Sequence, residues 1–179
     1  MDPAMREFEF TLRFELPGVE ESVDAIVERL AEAGCDDATI GVGIPGRLAL
    51  MFTREAQTAE HAVLSALRDV RSVLPDALLV EATPDFVEIS EVANIVGKTR
   101  QNIYKLLSSC KSAGPAPVHE GSSSVWHLAS VLAWLRDERD YSIDEDMIDL
   151  ARVNMEVNFA AQESILGDQV DDEIKALFS

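Results

Sequence analysis

The side chains best suited to chemistry lie between residues 90 and 124, in one polar segment and a later run of serines. Arg100, Gln101 and Lys105 are of types that form hydrogen bonds with the base edges and phosphates of double-stranded DNA. Serine hydroxyls and further lysines can contact the phosphate backbone. The candidate DNA-binding residues are Lys98, Thr99, Arg100, Gln101, Asn102, Tyr104, Lys105, Lys111, Ser122, Ser123 and Ser124.

The spacing from Ser90 to Leu107 predicts two helices that meet at a tight turn. Ala93 supplies the small residue where the helices cross, Gly97 tolerates a left-handed backbone at the turn, and Ile103 supplies a buried anchor. Thr99 is a suitable N-cap for the second helix. We therefore expect a helix-turn-helix whose outward positions face DNA. Its shared core is completed by Val92, Val96 and Leu106.

The resemblance extends downstream through Ala116-Pro117-Val118, Gly121, Val125-Trp126, Val131 and Trp134-Leu135. Residues 89–139 thereby resemble the winged helix-turn-helix of the excisionase, AlpA-like phage regulator and MerR families. This resemblance implies a bacterial or phage transcriptional regulator that places the helix Arg100–Leu107 in the major groove, with a wing after it. Two positions depart from the family pattern: serines replace the basic residues after Gly121, and Lys98 replaces the usual apolar residue after Gly97.

Charge restricts how the protein can meet DNA. The chain has 33 acidic and 15 basic residues, for a formal net charge of -18, which argues against non-specific binding to nucleic acid or to anionic membranes. Between residues 90 and 111, however, four basic residues stand against one acidic residue. The sequence has no apolar run of the roughly 18 residues that a membrane span needs. We expect a cytoplasmic protein, associated with the nucleoid when bound to DNA.

Two other functions are compatible with the same sequence. The first is an acidic protein-interaction module, an adaptor or antitoxin-like inhibitor with weak or no DNA binding, which the acidic surface and the serine-rich wing favour. The second is an excisionase-type architectural factor, which would bend DNA on binding.

Catalytic, metal and cofactor sites find little support. His61, His119 and His127 lack the spacing of a zinc site, and Cys35 and Cys110 are expected to be reduced thiols. The run Gly41–Gly46 fits the pattern G-x-G-x-x-G but is predicted to be a hairpin turn, and Gly97-Lys98-Thr99 lacks the earlier glycine of a phosphate-binding loop. We predict no enzyme activity, no metal and no cofactor.

Around the polar segment, apolar periodicity predicts an α+β protein in three parts. Residues 1–83 read as β-α-β-β-α-β, a ferredoxin-like sandwich, with Pro84 at the boundary. Residues 84–140 form the winged domain and residues 141–179 a helical tail. The predicted elements of the first part are strands 8–16, 38–42, 47–53 and 77–80 and helices 19–33 and 58–74.

The tail carries an apolar stripe that something must cover. Its members recur every four residues: Ile143, Met147, Ala151, Met155 and Phe159. Because one recognition helix reads only a short half-site, we expect a homodimer, with this stripe or an exposed sheet edge as the dimer contact. The N-terminal domain or the acidic surface could also hold a partner protein.

Overall fold

The computed structural model describes residues 4–18, 21–108, 114–167 and 171–177, and has a mixed α+β fold with two antiparallel sheets. The first elements along the chain are β1 (Arg6–Glu15), α1 (Val23–Leu30), a π-helical turn (Ala31–Cys35), β2 (Ala38–Gly41), β3 (Arg47–Ala56), α2 (Ala59–Val73) and β4 (Leu78–Thr83). They are followed by β5 (Phe86–Val87), α3 (Ile89–Ile95), α4 (Arg100–Ser108), β6 (His119–Glu120), β7 (Ser124–His127), α5 (Leu128–Arg139), α6 (Glu145–Leu166) and α7 (Asp172–Ala176). Within these ranges, none of the helices has both the length and the apolar character needed to cross a membrane.

The first sheet has the strand order β2-β3-β1-β4, and each neighbouring pair is antiparallel. The alternation along β1 buries every second side chain, as the sequence predicts: Leu12 is fully buried between Leu50 of β3 and Ala82 of β4. Helices α1 and α2 cover this same face, so that their apolar residues join one core with the sheet. Burying each large apolar side chain stabilises the fold by about 1.5–3 kcal/mol.

Helix α1 ends earlier than the sequence predicts. It stops at Leu30, and the chain continues as a π-helical turn in which Gly34 has φ +105°. A Cβ atom at Gly34 would lie 3.3 Å from the Asp69 carboxylate of α2. Gly34 therefore provides the left-handed backbone and the close approach that bring this turn against α2.

Arg54, on the inward face of β3, ties this turn to α2. Its Nε and Nη2 donate to the Asp37 carboxylate at 2.7 and 2.9 Å, and Nη2 also donates to the Gly34 carbonyl at 2.6 Å. Its Nη1 donates to Ser65 Oγ at 3.0 Å and to Asp69 Oδ2 at 2.8 Å. Burial alone would lower the pKa of the Arg54 guanidinium, but the hydrogen bonds to Asp37 and Asp69 raise it above its ordinary value. All five N–H donors of this arginine are thus satisfied.

Cys35 lies beside this cluster and is buried. Burial and the nearby Asp69 carboxylate raise the pKa of its thiol to about 11. Because the thiolate is the reactive form, we expect native Cys35 to react with Ellman's reagent roughly 100-fold more slowly at pH 8 than the same thiol in the unfolded chain. The Cys110→Ser variant isolates this thiol in the measurement. Reaction of native Cys110→Ser protein at the rate seen in denaturant would contradict the prediction.

The second sheet has the order β5-β7-β6 and belongs to a separate core. Strand β5 pairs with β7 through Phe86 opposite His127 and Val87 opposite Trp126. Helices α3, α4 and α5 contribute further buried side chains to this core, which include Val92, Ala93, Ile103, Leu128, Val131, Leu132 and Leu135.

Helix α6 packs against both cores. Leu150 belongs to the first core, while Ile148 and Ala151 are buried in the second. Val153 and Val157 extend the contact with the first core, in which α6 lies against β4 and α2. The predicted tail stripe is therefore covered within the chain by the second core, except for Phe159, which is exposed. Because the chain itself packs against most of the stripe, the apolar periodicity of the tail is explained without a dimer contact.

The same helix holds the connection between the two sheets. The Asn158 amide pairs with the backbone of Ala82 at the end of β4, as its Nδ2 donates to the carbonyl at 2.9 Å and its Oδ1 accepts from the N–H at 2.7 Å. Nδ2 also donates to Asp85 Oδ2 at 2.7 Å. The other oxygen of Asp85 lies 2.7 Å from His127 Nδ1, and the Asp85 carbonyl accepts from Leu128 N. Asp85 and Asn158 are both buried and the His127 side chain is 13% exposed, so this network is largely shielded from solvent.

Candidate nucleic-acid interface

The α3–α4 unit, residues 89–108, contains the largest group of predicted site residues. A capping box starts α3, in which the Glu91 side chain accepts from the Glu88 N–H at 2.8 Å. Gly97 has φ +63°, and the following Lys98 N–H donates to Ala93 O at 2.8 Å. The left-handed Gly97 thus reverses the chain between the two helices, as the sequence predicts.

Thr99 caps the second helix of the unit. Its Oγ1 accepts from Asn102 N at 3.2 Å, and its carbonyl accepts from Ile103 N at 3.2 Å. Ile103 is fully buried against the second core, so it fixes the rotation of α4 about its own axis. Tyr104, one position further along, is 56% exposed.

This rotation presents one polar face of α4 to solvent. Arg100 and Tyr104 are spaced by four residues, as are Gln101 and Lys105, so each pair lies on one side of the helix. These four side chains and Asn102 are exposed. The structure therefore brings together the predicted residues of α4 and leaves their donors accessible. Lys98, in the turn before the helix, is exposed as well.

Tyr141, between α5 and α6, is a neighbour of this face that sequence reasoning missed. Its hydroxyl donates to Asn102 Oδ1 at 3.1 Å, and the Lys98 Nζ lies 5.7 Å from the centre of its ring. The Tyr141 backbone N–H donates to Leu135 O, which fixes the tyrosine at the end of α5. No local sequence signal predicts this contact, because Tyr141 and Asn102 lie 39 positions apart.

The remaining predicted residues lie on or before the β6–β7 hairpin. Ser122 and Ser123 are exposed at its tip, where Gly121 N donates to Ser123 O, and Ser124 begins β7 and is half-buried. The Trp126 indole N–H of β7 donates to Pro115 O at 3.0 Å, which ties the hairpin to the segment before it. Lys111 lies outside the described residues.

The described ranges show neither a metal-ligand cluster nor a nucleotide-binding loop at the motifs that the sequence raised. Within them, no group of three or more His, Cys, Asp and Glu side chains is arranged to hold a metal ion. The segment from Gly41 to Gly46 connects β2 to β3, so it does not open the helix that a dinucleotide-binding loop requires. Similarly, Gly97-Lys98-Thr99 lies between two helices rather than between a strand and a helix.

A groove of about 800 Å³ lies between the open face of the first sheet and α3. Its acidic lining residues are Glu9 and Glu81 from the sheet and Glu91 from α3. Arg13, the basic residue of the groove, is paired with Glu81 at 2.9 Å. The groove is therefore net acidic, in contrast to the exposed face of α4.

Comparison with protein-family models, with curated proteins and with solved structures finds no match for this chain.

Proposed function

We propose that this protein is a sequence-specific DNA-binding transcriptional regulator that reads the major groove with α4. The observation that carries the proposal is the orientation of α4: Ile103 is buried, while Arg100, Gln101, Tyr104 and Lys105 are exposed around the helix. A helix held in this way can enter the major groove with several donors toward base edges. Lys98, Ser122 and Ser123 are exposed, and from these positions they could contact phosphates.

The arrangement of elements supports this proposal. The strand order β2-β3-β1-β4, with α1 and α2 on one face, is consistent with a ferredoxin-like sandwich in the N-terminal part. The order β5-α3-α4-β6-β7-α5 is consistent with a winged helix-turn-helix in the second part. In this reading α4 is the recognition helix and the β6–β7 hairpin is the wing.

The functional species would be a homodimer, because one recognition helix covers only a short half-site. Strand β2 ends the first sheet and pairs with β3 alone among the described strands, whereas Asn158 pairs with the backbone of β4 at the opposite end of the sheet. The outer edge of β2 is therefore our candidate dimer contact. Sedimentation of the free protein measures how many copies of the chain associate in solution. Sedimentation of its DNA complex measures how many copies bind one duplex.

Replacing Arg100 with Ala tests the proposal. Duplexes are first selected from a random library with the wild-type protein, and affinities are then measured by fluorescence anisotropy at physiological salt. Loss of a base contact costs about 1–3 kcal/mol, so we expect Arg100→Ala to bind the selected duplex about 5- to 150-fold more weakly.

The matched control is Arg71→Ala, which removes an exposed arginine from α2 in the N-terminal part. Its affinity should stay within twofold of the wild type. Equal affinities for Arg100→Ala, Arg71→Ala and the wild type would show that α4 does not read DNA.

The acidic groove favours a second candidate function, a protein-interaction module. Glu9, Glu81 and Glu91 would attract a basic partner, and the hairpin tip at Ser122 and Ser123 carries no basic residue to hold phosphate. Under this alternative the protein selects no duplex from the library, and it copurifies with a basic protein after nuclease treatment in a salt-dependent manner.

A further inference from the structure

The groove between the first sheet and α3 carries the same two types of side chain on each of its walls. On the sheet, Glu9 of β1 lies opposite Thr53, and Met51 lies two residues from Thr53 on the same face of β3. Diagonal positions of this kind on neighbouring strands are within reach of long side chains. On α3, Glu91 and Ile95 are four residues apart and both line the groove, so they share one side of the helix. Each wall therefore places a carboxylate near an apolar side chain.

These four side chains are accessible from solvent. Met51 is 48% exposed and Ile95 is 38% exposed, and the two glutamates are exposed as well. Within the ranges that the structure describes, neither Glu9 nor Glu91 forms an ion pair. The Glu91 side chain accepts from the Glu88 backbone N–H, which is a neutral donor and leaves the charge uncompensated. Two uncompensated negative charges and two exposed apolar side chains thus line one groove.

We propose that this groove binds a segment of a partner protein in which lysine or arginine residues flank a large apolar residue. The basic side chains would pair with Glu9 and Glu91, while the apolar side chain would cover Met51 and Ile95. A small cation would pair with the carboxylates but leave the apolar side chains exposed, and a nucleic acid would be repelled by the carboxylates.

The inference rests on the second candidate function, to which it adds the chemistry of the partner and the residues that contact it. It does not depend on DNA binding, because none of the described residues that line the groove belongs to α4. A partner segment could therefore occupy the groove while the exposed face of α4 remains accessible.

Selection of short random peptides displayed on phage, with the immobilised wild-type chain as the target, tests the inference. We expect the enriched peptides to carry several lysine or arginine residues around a large apolar residue. The affinity of one enriched peptide, labelled with fluorescein, is then measured by anisotropy. The double variant Glu9→Gln/Glu91→Gln removes two exposed charge pairs and should bind this peptide about tenfold more weakly. Met51→Asn removes an apolar contact and should bind it about fivefold more weakly.

The matched control is the double variant Glu28→Gln/Glu60→Gln, which removes the same charge from exposed positions on α1 and α2, the helices on the covered face of the sheet. Its affinity for the peptide should stay within about twofold of the wild type, because exposed charges farther apart than the Debye length are largely screened. Equal affinities for the two double variants would show that the peptide responds only to the general negative charge of the protein, and the inference would be wrong.

Two further results would overturn the inference. The first is that the wild type enriches no peptide. The second is salt-dependent copurification with a basic protein that persists in Glu9→Gln/Glu91→Gln. That result would leave the second candidate function standing with its contact surface elsewhere on the protein.

Discussion

Replacing Asn158 with Asp is expected to lower the free energy of unfolding by about 4 kcal/mol at neutral pH. The change is nearly isosteric but exchanges an amide donor for a carboxylate oxygen at the atom that lies 2.7 Å from Asp85 Oδ2. Two carboxylates would then face each other at a position where Asn158 is only 3% exposed and Asp85 is fully buried. The Ala82 carbonyl would lose its donor as well. Urea-induced unfolding, followed by far-ultraviolet circular dichroism, measures the loss.

Gln162→Glu provides the control for this experiment. It makes the same change of amide to carboxylate on the same helix, one turn beyond Asn158, at an exposed position. Exposed substitutions of this kind alter stability by about 0.5 kcal/mol or less. If Asn158→Asp were no more destabilising than Gln162→Glu, the network around Asp85 would not hold the connection between the two sheets.

Replacing Arg54 with Met is expected to lower the free energy of unfolding by about 3 kcal/mol. Methionine fills a similar volume but supplies none of the five N–H donors that join Asp37, Asp69, Ser65 and Gly34. The two carboxylates would remain close together without their cation. We expect a loss of stability near the lower end of the range observed when one partner of a buried ion pair is removed. The reason is that the Asp37 and Asp69 side chains are 28% and 29% exposed, so water can solvate them in part.

Arg47→Met on the same strand is the matched control. Arg47 is 61% exposed, and its Nη2 lies 3.7 Å from Glu15 Oε1, so its removal should cost less than about 1 kcal/mol. Denaturant unfolding of both variants gives the difference between their free energies of unfolding. Similar losses for Arg54→Met and Arg47→Met would mean that the buried cluster contributes no more than a surface ion pair.

Much of the first sheet follows from the alternation of apolar residues, because a strand with one covered face has a period of two. The β1 alternation predicts which side chains are buried. The same rule extended beyond Thr53 places Arg54 and Ala56 on the covered face of β3, where the structure has them. Alternation cannot show which acceptors Arg54 meets, since Asp37 and Asp69 come from other parts of the chain.

The sequence of the helical tail likewise predicts which residues are covered but not which residues they contact. Its periodicity predicts that one face of α6 is covered, but it does not identify what covers it. The structure buries Ile148 and Leu150 in different cores, so the helix is covered on two sides within the chain, and the stripe apart from Phe159 needs no second copy to explain it. Asn154 and Asn158 read as ordinary polar positions in the sequence, although both are buried.

The candidate interface was the most predictable part, because its geometry is local. The turn at Gly97, the cap at Thr99 and the anchor at Ile103 lie within seven residues, and all three are present. The contact of Tyr141 with Asn102 depends on how α5 ends against α4. Such a contact arises only from tertiary packing, which a single sequence does not encode in a readable pattern.

The position of α6 along the chain also determines when folding can finish during protein synthesis. The first core is closed by Leu150, Val153 and Val157, although the strands of its sheet are complete by Thr83. About 70 further residues must be translated before the ribosome delivers this helix, which at 5–20 residues per second takes several seconds. During that interval the apolar side of β4 and α2 is exposed to solvent and to other nascent chains. The first sheet is thus synthesised before α6 but completes its core only after α6 has been made.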